Sequence, residues 1–470
     1  MCAALLAGPM AGDASAETLK EALNATYKYN PRLDAARALQ RATDEEVPRA
    51  LSGYRPSVIG SADTTYEKNK RKPEIGPTEN TEGNPRGYSV GVTQPIFRGF
   101  RTKNAVSLAE ATVRAGWEAL RSTESDVMLE AVTAYLDVVR DQAIVTLREN
   151  NVTVLTKDLA GFKTRLELKE ATLTDVAQSE ARRAQAVAAL DLARANLKTS
   201  RAVFERVVGH PPSHLVEPKP SSLVPKQLPD ALEVAARESP AIVAALYREQ
   251  AARFNIDLIR GERLPSVQLE ANYSRRLDPN PGIEDSESTS VTGRLTVPFY
   301  SGGEVEARVR QAKHTQVQRL QEIEQARSEV QAQVVAAWSQ LQAAQAAVES
   351  DEKSVAANKV ALRGVRAEQE VGTRVPLDVL NAVQELLNAE VTLVTDRRNV
   401  VVASYALLAA IGRLNAQELG VSNLVYDPEQ HYKEVRNKWF DIDITTPDGK
   451  TEKLPPPPPP NEKAPPRTRE

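Results

Sequence analysis

The sequence predicts an α+β chain, mostly α, built as a tandem repeat of helix, β-hairpin and long helical hairpin. Three observations predict it. The chain matches itself at a nearly constant offset along most of its length. Each copy carries a pair of short segments that alternate apolar and polar residue by residue. A long proline-free run rich in alanine, valine, glutamine and glutamate follows each pair.

The self-match sets the order. Leu19–Pro31 falls on Leu228–Pro240, and Arg55–Val58 on Leu264–Val267, both at an offset of 209. Beyond them Q-P-I-F-R-G-F (Gln94–Phe100) falls on V-P-F-Y-S-G-G (Val297–Gly303) at an offset of 203, which Ala131–Leu136 on Val334–Ser339, Thr174–Val176 on Leu377–Val379 and Val207–Gly209 on Ala410–Gly412 retain. One shift between Val58 and Pro95 reconciles the two offsets, so the first copy has a longer loop there. Internal similarity at a fixed period marks duplication. The copies span residues 17–227 and 228–426, with 1–16 before them and 427–470 after.

Residues 1–16 read as the remnant of a signal peptide. Cys2–Gly12 is short and apolar, and Ala14-Ser15-Ala16 has the small-x-small pattern of a cleavage site, so export is expected. No basic residue precedes the apolar stretch, so the true start is expected upstream. Each copy then opens with a helix, about 17–52 and about 228–262. Strands follow at about 55–67 and 86–98, and at about 265–276 and 289–300. In the first, Val58, Gly60, Ala62, Thr64 and Tyr66 alternate with Ser57, Ser61, Asp63 and Thr65. Val267, Leu269, Ala271 and Tyr273 alternate with Gln268, Glu270, Asn272 and Ser274, and Val291, Leu295, Val297 and Phe299 with Thr292, Arg294 and Thr296. Period two with one apolar face is a half-buried strand. Glu67–Arg86 and Arg276–Ser288, rich in Pro, Gly, Asn and charge, read as connecting loops.

Such strands ordinarily form a sheet on a core. Here only four occur in an otherwise helical, exported chain, and a membrane barrel needs about eight or more. Three copies would supply twelve, with the apolar face toward lipid and no open edge in the bilayer. No stretch reaches the roughly 18–20 apolar residues of a spanning helix. Val400–Ile411 is too short and contains Ser404 and Tyr405.

The long helices are expected at about 102–168 and 174–209, and at about 303–370 and 376–412. The first could extend on the order of 100 Å. Leu129, Val132, Leu136, Val139 and Ala143 form one seam in it, and Val127, Ala131, Ala134 and Val138 another. Glu130, Thr133, Asp137 and Arg140 make a polar stripe between. Two seams mean helical neighbours on both sides, where a two-stranded coiled coil has one. Residues 210–227 and 413–450 read as irregular, and the polyproline tail from Leu454 as extended or disordered.

Several functions are excluded by composition. A net charge of −3 does not suit a nucleic-acid binder. One cysteine, Cys2, permits neither an internal disulfide nor a thiolate metal site. His210 and His214 are separated by Pro211-Pro212, and His314 and His431 are isolated. With no phosphate loop, nucleophile–base pair or metal cluster, neither enzymatic activity nor a cofactor is expected.

The break between the last two long helices is the most informative segment, V-G-T-R-V-P-L-D-V-L-N-A (Val371–Ala382). Gly372 suits a reversal that needs positive φ. Pro376 fits the first turn of the returning helix, Thr373 is the expected cap, and Asp378 complements the helix dipole. Asp378 and Asn381, three apart, share one helix face.

With its duplicated order, the two strand-to-helix junctions and this turn, the chain resembles the TolC family of outer-membrane efflux and secretion channels over residues 17–426. The resemblance implies a homotrimer whose twelve-stranded barrel sits in outer-membrane lipid of a Gram-negative bacterium, and whose α-helical barrel reaches across the periplasm to a closed iris at the helical turns. It implies a passive exit duct for efflux or type I protein secretion. An inner-membrane RND, ABC or MFS transporter and a periplasmic adaptor (membrane fusion) protein would open it, the adaptor docking around Gly372, Thr373 and Pro376. By the same resemblance Asp378 and Asn381 form the pore constriction. The family typically has aspartate at both positions, so a ring of three carboxylates is expected in place of six. Arg374 matches the family's latch arginine, with Thr174 and Asp175 as partners. A latch tyrosine would fall near Gln369, so that link is altered or absent. The rival reading is a periplasmic coiled-coil adaptor or scaffold without a membrane-spanning part.

Overall fold

The computed structural model describes residues 16–280, 282–421, 425–440, 442–445 and 451–452. The expected signal-peptide segment before residue 16 and the Pro-rich tail lie outside them. The chain divides into two units: residues 1–39, 114–253 and 310–426, and residues 40–113, 254–309 and 427–470.

In chain order the elements are α1 (Leu19–Tyr29), α2 (Pro31–Asp44), α3 (Glu46–Leu51), β1 (Ser57–Thr64), β2 (Glu67–Arg71), β3 (Glu79–Gly83) and β4 (Arg86–Arg98). The long helices α4 (Arg101–Glu167) and α5 (Leu173–Val208) complete the first copy. The second contains α6 (Leu228–Glu238), α7 (Pro240–Arg260), β5 (Ser266–Asn280), β6 (Ile283–Thr296), α8 (Glu304–Glu370) and α9 (Pro376–Ala410), and α10 (Pro428–Val435) follows.

Four expectations are corrected. The single opening helix of each copy is broken, because the residue before a proline is pushed out of the α region. Asn30 lies at φ −75°, ψ 119° and Ser239 at φ −62°, ψ 121°. Asn30 exploits the break: its amide donates to the Val207 carbonyl (2.9 Å) and accepts from Arg32 N (3.0 Å). The expected loops hold further strand: β2 and β3 pair as a separate ribbon, and β5 and β6 run on to Asn280 and from Ile283. At its other end β6 stops at Thr296, so Val297 and Phe299 lie outside the sheet. Finally, the segment after residue 426, expected to be irregular, contains α10, capped by the Asp427 side chain and with proline in its first turn.

The helical unit has one principal core. Met128, Tyr135, Leu136, Phe204, Leu407, Leu408 and Ile411 are fully or almost fully buried in it. Each such side chain contributes about 1.5–3 kcal/mol through removal from water. Along α4, Val127, Met128, Ala131, Val132, Ala134, Tyr135, Leu136 and Val138 are all buried, so the helix is covered nearly all round. The polar stripe survives as a local network, in which Arg398 of α9 (3.0 Å) and Arg140 (3.0 Å) both reach Asp137. Tyr135 ties this core to the start of the first copy and to the segment that joins the two copies. Its hydroxyl accepts from Val216 N (2.9 Å) and sits 2.8 Å from the Glu17 carbonyl and 2.7 Å from that of Val216. Burial, opposed by the bond from Val216 N and aided by the nearby Glu17 and Glu21 carboxylates, pushes its pKa up to about 12.

The other unit contains a four-stranded antiparallel sheet in the order β1-β4-β5-β6, leaving β1 and β6 as its edges. Its register aligns Val58, Val92, Ala271 and Val291 in one row, and Ser61, Ser89, Ser274 and Ser288 in a row of opposite parity. One face is therefore mostly aliphatic and the other hydroxyl-rich. Ile59 is an exception on the polar side. The apolar face is open: Val58 is 66% exposed and Val291 70%. Toward the β5–β6 turn, Arg275 pairs with Asp285 (2.7 Å) and Arg276 with Asp63 (3.3 Å). Among the described residues no helix is long and apolar enough to cross a membrane.

Candidate functional site

The duplicated turns at the ends of the long helices hold all the residues singled out by sequence. Both reversals use the same backbone solution. In the second, Gly372 N donates to the Gln369 carbonyl (3.1 Å) and Thr373 N to that of Glu368 (3.0 Å), with Gly372 at φ +79°. In the first, Lys169 N reaches Leu166 O (3.0 Å) and Glu170 N reaches Arg165 O (2.8 Å), with Lys169 at φ +61°. This paired pattern, five and three residues back, is a Schellman closure that needs a left-handed residue. Glycine supplies it freely in the second copy, whereas the first places a lysine there.

The returning helices begin differently. Thr172 caps α5: its hydroxyl accepts from Asp175 N (3.2 Å), and the Asp175 carboxylate accepts from Thr172 N (2.9 Å) and Oγ1 (2.7 Å). This is a reciprocal capping box. The duplicated positions are Val375 and Asp378, and valine has no acceptor, so α9 starts without a side-chain cap. Thr373 is not that cap, as the sequence suggested. Its hydroxyl donates to the Glu368 carbonyl (2.8 Å) and so closes α8.

The Asp378 carboxylate, free of a cap, lies 3.6 Å from the Arg374 guanidinium, which donates more closely to Glu368 (2.8 Å). Glu368 first, then Asp378, raise the Arg374 pKa further above its usual value. The expected latch of Arg374 with Thr174 and Asp175 is thus not made within one chain. Arg374 has two nearer carboxylates, Asp175 is held in its cap, and among the described residues Thr174 has no side-chain partner. Gln369 takes part through its carbonyl, which accepts from Gly372 N. Asn381 faces α5, where its Oδ1 accepts from Arg182 Nη2 (3.0 Å). Beneath them Leu380, Leu155 and Ala186 form a small buried cluster.

Residues 22–210 and 231–413 match the family model described as outer membrane efflux protein, once for each copy. The chain belongs to that family. It is 39% identical over 453 residues to the outer membrane efflux protein BepC of Brucella suis biovar 1, covering 95% of this chain and 97% of the relative. It is 25% identical over 423 residues to the outer membrane protein TolC of Vibrio cholerae serotype O1, covering 88% and 94%. Its fold is similar to the crystal structure of the Campylobacter jejuni CmeC outer membrane channel, with a TM-score of 0.77 at 16% identity and 90% of each chain covered. This efflux protein is therefore an outer-membrane protein of a transport family with the TolC-type fold, and the rival reading of a periplasmic adaptor or scaffold without a membrane-spanning part falls.

Sequence reasoning missed Arg182, Glu368, Thr172 and Lys169. Thr172 was legible: Thr-x-x-Asp before a helical run is a capping signature. Lys169 could have been found by aligning it with Gly372. Arg182 carried no local signal, since its partner lies 199 residues away.

Proposed function

We propose that this efflux protein works as a homotrimeric passive exit duct, gated at the α8–α9 turns. The observation that carries this is the open four-stranded sheet. One face is apolar, both edges are unpaired, and the strands alternate in direction from β1 to β6. Pairing β6 of one copy with β1 of the next continues the antiparallel order. Three copies close twelve strands with no edge left in lipid. In that assembly Asp378 and Asn381 line the constriction. Arg374 of one copy exchanges its local acids for Asp175 and Thr174 of a neighbour, latching the gate. The latch pairs solvated groups, so each link is weak and a partner can open it. Adaptor binding at Gly372, Thr373 and Pro376, with an inner-membrane RND, ABC or MFS transporter supplying energy, completes the export path for small molecules or type I secreted protein.

The test is single-channel conductance of purified trimers in planar bilayers, wild type beside Arg374→Ser. A small conductance that rises sharply in the variant is expected. Well-folded trimers that conduct in neither form would overturn the duct, and a large conductance equal in both would remove Arg374 from the gate.

A further inference from the structure

We propose that Arg182 sets the ion selectivity of this duct by placing an uncompensated positive charge in the constriction. The inference rests on the reading of Asp378 and Asn381 as pore-lining. Arg182 lies on α5, one helix away from the segment that carries those two residues, and its Nη2 donates to Asn381 Oδ1 at 3.0 Å. Asn381 accepts that bond through a neutral amide. Among the described residues Arg182 forms no ion pair, unlike Arg374, which has both Glu368 and Asp378. A carboxylate at position 381 would cancel the guanidinium in a charge-assisted pair. The amide orients the guanidinium without neutralising it.

The contact exists once per chain. The duplicated positions are Glu385 for Arg182 and Gln178 for Asn381, so the charge there is reversed and, among the described residues, no equivalent bond forms. Each chain therefore brings to the constriction one carboxylate, Asp378, and one fixed guanidinium, Arg182. Within one chain Asp378 also lies 3.6 Å from Arg374, a contact that the proposed latch releases in the trimer. A narrow, low-dielectric passage focuses the field of such groups on passing ions. Three guanidiniums opposite three carboxylates leave the ring close to neutral, so it discriminates poorly between cations and anions. Arg182 is a positioning and selectivity residue. It holds Asn381 toward α5 and sets the local potential.

The experiment is the reversal potential of full-length trimers in planar bilayers under a KCl gradient, read as the ratio of K⁺ to Cl⁻ permeability. The variants are Arg182→Gln, Arg182→Lys and Asp378→Asn. Glutamine keeps an amide donor for Asn381 but removes the charge, and the ratio is expected to rise about threefold or more. Lysine keeps the charge, and the wild-type ratio should return. Asp378→Asn should lower the ratio. A shift with Asp378→Asn but none with Arg182→Gln would overturn the role of Arg182 and leave the constriction standing. A change in conductance with Arg182→Gln at unaltered reversal potential would reduce Arg182 to a structural strut, also overturning it. No shift with either substitution would overturn the constriction itself.

Discussion

Val375→Thr should transplant into the second turn the cap that the first already has. The two turns share backbone geometry up to this residue, and the first shows what a threonine does there. Thr172 Oγ1 takes the Asp175 amide at 3.2 Å while the Asp175 carboxylate closes back on Thr172 N at 2.9 Å. In the second copy Asp378 N turns instead to the Val375 carbonyl at 3.0 Å, and its carboxylate points toward Arg374 at 3.6 Å. A threonine hydroxyl at an N-cap is worth about 1 kcal/mol over an aliphatic residue, roughly fivefold in a local equilibrium. Against it stands a solvated ion pair beyond hydrogen-bonding distance, which contributes little. Asp378 should therefore change partner and spend most of its time in the cap.

Two readouts separate the steps of that reasoning. Hydrogen–deuterium exchange over residues 373–380 should slow about fivefold in Val375→Thr. The K⁺ to Cl⁻ permeability ratio should fall, because a capped carboxylate faces its own helix. Unchanged exchange would refute the equivalence of the two turns. Slower exchange with unchanged selectivity would leave the cap intact and refute the role of the Asp378 carboxylate in the pore.

Three further outcomes are expected. Lys169→Gly should relieve a left-handed lysine, φ +61°, and stabilise the first turn. The left-handed cost is about 1–2 kcal/mol, partly offset by the greater freedom of unfolded glycine, and slower proteolysis at residues 167–173 would report it. Gly412→Ala should destabilise the helical unit by about 2–4 kcal/mol. Gly412 lies at φ +83°, and a Cβ there would sit 2.6 Å from the Glu238 carbonyl oxygen and 2.9 Å from Pro240 Cδ; a lowered denaturation midpoint is the check. Glu124→Gln concerns pH. Burial raises the Glu124 pKa, partly opposed by the bond it accepts from Ala416 N at 2.7 Å. The folded state then holds the proton more tightly than the unfolded, so stability is lost as pH rises from about 4.3 through the folded value. Glutamine keeps the acceptor without the charge. The variant should melt higher than wild type at neutral pH, and the gap should close below about pH 4.

Where a feature is written in consecutive residues, the sequence reveals it. The duplication is a linear match. The strands are legible because alternation is local, and the register confirms it by stacking Val58, Val92, Ala271 and Val291 in one row. The reading failed where apolar pattern and backbone chemistry diverge. Helical periodicity continues across Asn30-Pro31 and Ser239-Pro240, yet the prolines break both helices. The residues of β5 and β6 near their turn lack a regular apolar alternation; the ladder and the Arg275–Asp285 and Arg276–Asp63 pairs hold them in strand form. At the α8–α9 turn, a pore role for Asp378 and Asn381 came only from the resemblance, while the helix break at Gly372 and Pro376 and the face that Asp378 and Asn381 share were legible from spacing. Glu368 was not, because a chain reversal brings it to Arg374. Arg182 was not, because α5 and α9 are joined only by the fold.

The divergence of the two turns assigns them different mechanical roles. The first is closed twice, by a Schellman pattern behind it and by a capping box ahead, and its acid is consumed in the cap. The second keeps the Schellman pattern but replaces Thr172 with Val375, so α9 begins uncapped and its acid is held only by a solvated arginine. In the proposed trimer six turns would then alternate between these two kinds. A partner pressing on all six equally would deform the uncapped three first, since they have fewer hydrogen bonds to break at the helix start. Opening would follow the threefold symmetry of the chain, not the pseudo-sixfold symmetry of the duplication. One residue, the valine at position 375, makes that difference.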